Sequence, residues 1–165
     1  MITLYHGGDS IIKNPEIRES TRTLDFGKGF YLTSSEKQAS EWVNRKLERN
    51  GKKRGFVNIY DFLEEDAKSE LNVKVFHNPS EEWLDFVMSN RRIPNFTHDF
   101  DIVIGPVAND RVYTAFALFE GGSISRETLI SELKTYRLVD QYLFHTEQAF
   151  KYLVFKAANT IEYDK

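Results

Sequence analysis

Three short stretches carry residue types suited to gripping a flat polar ligand: Tyr5-His6-Gly7, Gly29-Phe30-Tyr31-Leu32-Thr33 and Asp140-Gln141-Tyr142-Leu143-Phe144-His145-Thr146. An imidazole offers one donor and one acceptor, and a side-chain amide offers both kinds of group. Aromatic rings stack on planar ligands. Glycine lets a ligand approach the backbone closely, and Asp25-Phe26-Gly27-Lys28-Gly29 places two glycines immediately before the aromatic pair. The same residues also read as a glycine turn leading into a buried strand, and a lone histidine is more often structural than ligand-binding. His77, His98 and His145 share no metal-ligand spacing with His6 or with one another, so no metal site is expected. His145 is expected to face the core as a hydrogen-bonded residue, with His77 and His98 in surface loops. Cysteine is absent, which excludes thiolate nucleophiles, disulfides and cysteine-type zinc sites.

The elements that must position these groups follow from pattern. Residues 2–6 alternate as a strand that Gly7-Gly8-Asp9-Ser10 ends, and residues 9–25 read as a polar loop. Phe30–Thr33 is a second strand. Ser35 caps a helix with Gln38 completing a capping box, and Ala39, Trp42, Val43 and Leu47 share its apolar face. Asn50-Gly51 ends that helix. Residues 56–60 and 73–76 are strands, separated by the acidic run Glu64-Glu65-Asp66, read as a solvated turn or helix face. Asn78-Pro79-Ser80 opens a helix with Trp83, Leu84, Val87 and Met88 inward, closed by Arg91-Arg92 and Pro94. Arg91 and Arg92 suit a pyrophosphate and suit a solvated helix end equally well. Residues 100–104 form a buried strand. Asn109-Asp110 and Ser125 start two further helices. Residues 139–145 are the last strand expected, and Thr146 opens a final helix with Phe150, Leu153 and Val154 inward. Strands and helices mix irregularly, so the expected class is α+β in one domain over residues 1–165.

Composition narrows the partners. The chain has 165 residues, 41% of them apolar and 14% aromatic, enough for one real core. A net charge of −3 provides no general pull on nucleic acid or anionic membranes. Lys52-Lys53-Arg54 is the one dense basic cluster, and it follows a helix end, where it opposes the dipole. The N-terminus lacks a signal-peptide pattern and no apolar run reaches membrane-spanning length, so a soluble cytoplasmic protein with no membrane partner is expected.

Five fragments in order resemble the DUF3990 family, whose members look like ADP-ribosyltransferases: Leu4–Gly7, Asp25–Thr33, Gln38–Trp42, Asp101–Ala108 and Gln141–Thr146. The resemblance runs from residue 3 to about residue 155. Within the wider fold, the branch with diphtheria toxin and the poly(ADP-ribose) polymerases carries His, Tyr and Glu in three successive motifs. The resemblance implies two small, mostly antiparallel sheets flanked by helices and facing one another across an NAD cleft. It implies an enzyme that consumes NAD as substrate and transfers one ADP-ribose to a macromolecule, protein or nucleic acid. A bacterial toxin or phage-defence effector, with a neighbouring antitoxin, fits that picture.

The resemblance also implies roles. His6 would hold the adenosine ribose, and the Gly7 backbone would meet the nicotinamide carboxamide. Tyr31 would stack on nicotinamide, sandwiching it with Tyr142 or another aromatic. Thr33 or Ser34 would bond a ribose or phosphate oxygen. The third position departs from the better-known pattern: Gln141 stands where active polymerases and toxins have Glu. An amide still bonds the ribose 2′-OH but brings no negative charge to an oxocarbenium-like transition state. That argues against chain elongation and leaves three readings open: mono-ADP-ribosyl transfer, a binding module that has lost catalysis, or an NAD glycohydrolase. Asp140 and Glu147 are nearby carboxylates that could substitute. Glu147 also suits the first turn of a helix.

Overall fold

The computed structural model describes residues 1–18, 24–107, 110–136 and 138–163. Ala108 and the expected cap Asn109 lie outside the described residues. Among the described residues, seven strands join in one mixed sheet in the order β4-β5-β6-β2-β1-β3-β7. They are β1 (Ile2–Gly8), β2 (Phe30–Thr33), β3 (Arg54–Phe62), β4 (Val73–Val75), β5 (Ile102–Pro106), β6 (Asp140–Phe144) and β7 (Leu153–Glu162). Among the described residues, only β4 and β5 run parallel and every other pairing is antiparallel. The class is α+β, as expected.

The two facing sheets expected from the resemblance are corrected to one continuous sheet. Its two halves are nonetheless joined thinly. β1 pairs with β3 over residues 2–8, but its register with β2 is a single pair, Tyr5↔Thr33. Few ladder hydrogen bonds cross that seam, so side chains must help to close it.

Among the described residues, five helices cover the sheet: α1 (Glu36–Asn50), α2 (Glu64–Glu70), α3 (Glu81–Arg92), α4 (Asp110–Glu120) and α5 (Arg126–Leu133). Strand alternation sorts the core into faces. On one face, Ala39, Val43 and Leu47 of α1 pack on Val57, while Trp83, Leu84, Phe116, Leu129 and Leu133 from α3, α4 and α5 pack on Val103 and Leu143. On the other face, Leu4, Phe30, Leu32, Tyr60, Phe62, Ile102, Tyr142 and Phe144 form a second cluster, capped by Ala67 of α2 and by Ala149.

The α1 start follows its capping signal only in part. The Ser35 side chain accepts from the Gln38 N–H, but the Gln38 side chain turns to Thr33 instead of closing the box. Gly51 ends α1 in the left-handed region at φ 71°. Trp42, expected inward, is 39% exposed, with the Arg49 guanidinium 5.2 Å from its ring. The acidic run at 64–66 opens α2, consistent with the helix dipole. The expected final helix is the largest correction. Glu147–Tyr152 makes a 3-10 turn, and Leu153–Glu162 then runs as an edge strand paired along β3. That strand reads as a helix locally because it is half-exposed and lacks clean alternation; its partner, 90 to 110 positions away in sequence, supplies the hydrogen bonds that decide its conformation.

Candidate functional site

His6 lies on β1 at the seam. Its Nδ1 is 2.7 Å from the Tyr31 carbonyl oxygen, and a carbonyl only accepts, so Nδ1 carries the proton and Nε2 is left as an acceptor. The ring stacks on Phe30 at 4.2 Å between centroids with planes 24° apart. Burial pushes its pKa down to about 4, opposed by the Tyr31 carbonyl and reinforced by the Lys46 charge. At neutral pH His6 is therefore an uncharged hydrogen-bonding group. It lines a cavity of about 380 Å³ formed with Gly8, Ser10, Ile12, Arg18 and Lys46, at the lower end of the roughly 300–1,000 Å³ typical of ligand pockets. The strand carrying His6 is braced beneath by Asn58, whose amide donates to the His6 and Ser10 carbonyls and whose oxygen accepts from Ile12 N–H.

Tyr31 is the next residue after Phe30, so it points to the opposite face. Its phenol donates to the Gly27 carbonyl at 2.5 Å and accepts from the Phe26 N–H at 3.1 Å. Burial pushes its pKa far up, so it keeps its proton. The phenol thus latches the Asp25–Gly29 turn onto β2. Asp25 anchors the same turn. It is 8% exposed, 3.6 Å from the Arg91 guanidinium, and accepts from the Tyr113 hydroxyl. Burial pushes its pKa up, with Arg91 and Tyr113 opposing. Arg91 also lies over the Tyr113 and Phe116 rings, and Arg92 pairs with Glu120 at 3.1 Å, so both arginines have structural partners at the end of α3.

The remaining predicted residues divide between the faces. Register pairs Thr33 with Gln141 and Tyr31 with Leu143, which places Tyr31, Thr33 and Gln141 on one face. Gln141 is 9% exposed and its Nε2 has no hydrogen-bond partner. An unpaired buried donor costs about 1–3 kcal/mol. The Thr33 hydroxyl donates to the Gln38 side chain and accepts from the Ser35 N–H, so it is already engaged at the α1 start. Gly7 lies under α1: a Cβ there would stand 2.5 Å from the Ala39 carbonyl oxygen and 2.8 Å from Val43.

Tyr142 is brought to the other face, 7% exposed and edge-on to Phe62. The expected sandwich of Tyr31 and Tyr142 around one ring is corrected, because alternation along β6 turns the two side chains to opposite sides. Asp140 shares the Tyr142 side by the same alternation. Glu147 lies beyond the far end of β6 and accepts from the Ile17 N–H. Neither carboxylate stands beside Gln141.

Sequence reasoning missed a second cluster. His98, expected in a surface loop, bonds the Phe26 carbonyl through Nε2 at 2.7 Å and accepts the Phe100 N–H at Nδ1. His145, expected to face the core, is half-buried, donates Nδ1–H to the Lys28 carbonyl and lies 4.1 Å from the His98 ring. Both rings border a cavity of about 780 Å³ against the Gly27-Lys28 turn. No local pattern around His98 marks it; its packing against Phe86 forms only on folding. Among the described residues, no three His, Asp or Glu side chains gather to hold a metal, and no helix is long and apolar enough to cross a membrane.

No curated protein matches the chain. The model of the family described as "Protein of unknown function (DUF3990)" matches residues 2–155, which takes in β1, the glycine turn, β2 and β6. The chain that carries His6, Tyr31 and Gln141 belongs to the DUF3990 family.

Proposed function

We propose that this protein binds NAD across the β1–β2 seam and acts as a mono-ADP-ribosyltransferase. The observation that carries this reading is the neutral His6 imidazole. Its proton is held by the Tyr31 carbonyl, which leaves Nε2 as an acceptor, and the residue lines a nucleoside-sized cavity. In this reading Nε2 accepts a hydroxyl of the adenosine ribose. The nicotinamide passes to the Gln141 face. The Gln141 amide, which lacks a partner, donates to the 2′-oxygen of the nicotinamide ribose. The bond between the nicotinamide nitrogen and ribose C1 breaks and neutral nicotinamide leaves. An acceptor nucleophile then bonds C1 and releases its proton. The reading takes the acceptor to be a macromolecule, and the protein to act as a toxin or phage-defence effector restrained by an antitoxin.

A second reading, a module that binds NAD without turning it over, is favoured by the amide at 141 and by the alternation along β6 that turns Asp140 to the opposite face. Nicotinamide release separates the two. For the transferase, wild-type protein releases nicotinamide, His6→Ala weakens NAD binding by tenfold or more, and Gln141→Glu raises the rate. For the module, NAD binds and depends on His6 with no nicotinamide formed by either protein. Labelled NAD in a cell lysate then identifies the acceptor class, and free ADP-ribose as the sole product assigns a glycohydrolase. NAD binding unaffected by His6→Ala overturns both readings.

A further inference from the structure

The larger cavity, about 780 Å³, is on the far side of the Gly27–Gly29 turn from His6, and the NAD reading makes no use of it. Its walls come from the turn, the end of α3, the loop after α3 and His145. Lys28, Arg91 and Arg92 border it together with the His98 and His145 rings, and among its described lining residues there is no Asp or Glu. In a chain of net charge −3, three Lys and Arg side chains on one cavity are a local departure from the average. A concave site lined by one sign of charge focuses its field on a ligand of the other sign. Arg91 and Arg92 each meet one carboxylate, Asp25 and Glu120. A guanidinium carries five N–H donors, so one carboxylate leaves others for an oxyanion.

The rest of the lining is apolar or flat. Phe96 is 36% exposed and Ile93 52% exposed. The His98 and His145 rings stand together at 4.1 Å, with His145 Nδ1–H tied to Lys28 and its Nε2 left for a ligand. Asn90, 7% exposed, forms part of the wall; its amide N–H donates to the Phe86 carbonyl and its Oδ1 has no partner. Cations at one side, a ring surface at the other and an unpaired acceptor match a phosphate monoester attached to a planar base. We infer that this cavity is a second site, which binds a nucleoside monophosphate independently of the NAD cleft.

The chain has four histidines, so ring NMR signals report the site directly. Titration of the whole protein with AMP is expected to shift the His98 and His145 signals, and to do so equally in His6→Ala, which removes the NAD-cleft histidine. Adenosine, which lacks the phosphate, is expected to leave both signals in place. The Lys28→Gln/Arg92→Gln double variant, its fold checked by circular dichroism, is expected to weaken the AMP response at least tenfold. Absence of any AMP shift at His98 and His145 overturns the inference. So does an equal response to adenosine, a response lost in His6→Ala, or one unchanged in the double variant.

Discussion

His6 and Tyr31 are joined by one hydrogen bond, yet they belong to two differently built regions on opposite faces of the sheet. On the His6 face, a polar ring is held neutral among aromatics and opens on a cavity. On the Tyr31 face, the phenol closes on backbone groups of a glycine turn and the Thr33 hydroxyl donates to the Gln38 amide, while the Gln141 Nε2 is left unpaired. The difference shows a division of labour. The first region keeps hydrogen-bonding capacity in reserve, which suits ligand binding. The second region, apart from the unpaired Gln141 amide, uses its capacity to fix the turn and strand that hold the first.

Perturbing the turn itself is expected to have the largest effect. Gly29 has φ 152°, and a Cβ there would stand 2.5 Å from Leu143 Cδ1 and press on the Phe144 carbonyl. Backbone strain and overpacking together make Gly29→Ala destabilising by about 4 kcal/mol in urea unfolding. A loss below 1 kcal/mol would break the view that this turn is the fixed partner of the pair.

The His6 face is expected to show itself through pH. The folded-state pKa is about 4 and the ordinary value 6.5, so the unfolded chain binds this proton first. Stability from this group is complete above pH 6.5 and falls as pH drops toward 4, by no more than about 3 kcal/mol. Burial lowers the pKa of His98 too, so its contribution has the same sign. His6→Ala should flatten the slope of unfolding free energy between pH 6.5 and 4. An unchanged slope would mean that His6 is not held neutral.

Tyr31→Phe is expected to leave the Gly27 carbonyl and the Phe26 N–H without their partner, a cost of about 2 kcal/mol. If the phenol is only a latch, NAD binding should survive in proportion to the folded fraction. A loss of binding in fully folded protein would move Tyr31 from latch to ligand contact. The smallest effect is expected for Glu147→Gln, an exposed residue at the end of β6 remote from Gln141: stability within about 0.5 kcal/mol and nicotinamide release unchanged.

Much of the architecture was legible because its signals are local. Ser35, Ser80 and Ser125 cap the helices that their positions announce, and each accepts a bond from an N–H three residues on. Trp83, Leu84, Val87 and Met88 recur at helical spacing and all are buried. The candidate residues were legible as types within a family pattern, but not as an arrangement. Trp42 repeats at the spacing of Ala39 and Leu47 yet stays partly exposed, because α1 covers only the β1–β3 half of the sheet. β7 was misread because its conformation is imposed by a partner far away in sequence.

The amino-acid order by itself determined the periodicities, caps and turns, the absence of cysteine chemistry, and the identity of the three motifs. Tertiary structure decided which motif side chains share a face, that the strands form one sheet with a thin seam, and that His98 and His145 meet across 47 residues. The physical reason is that propensity and capping act over a few residues. Register, strand alternation and burial depend on which distant strand supplies the hydrogen bonds, and in β2 and β6 a shift of one position would exchange the faces of Tyr31 and Tyr142.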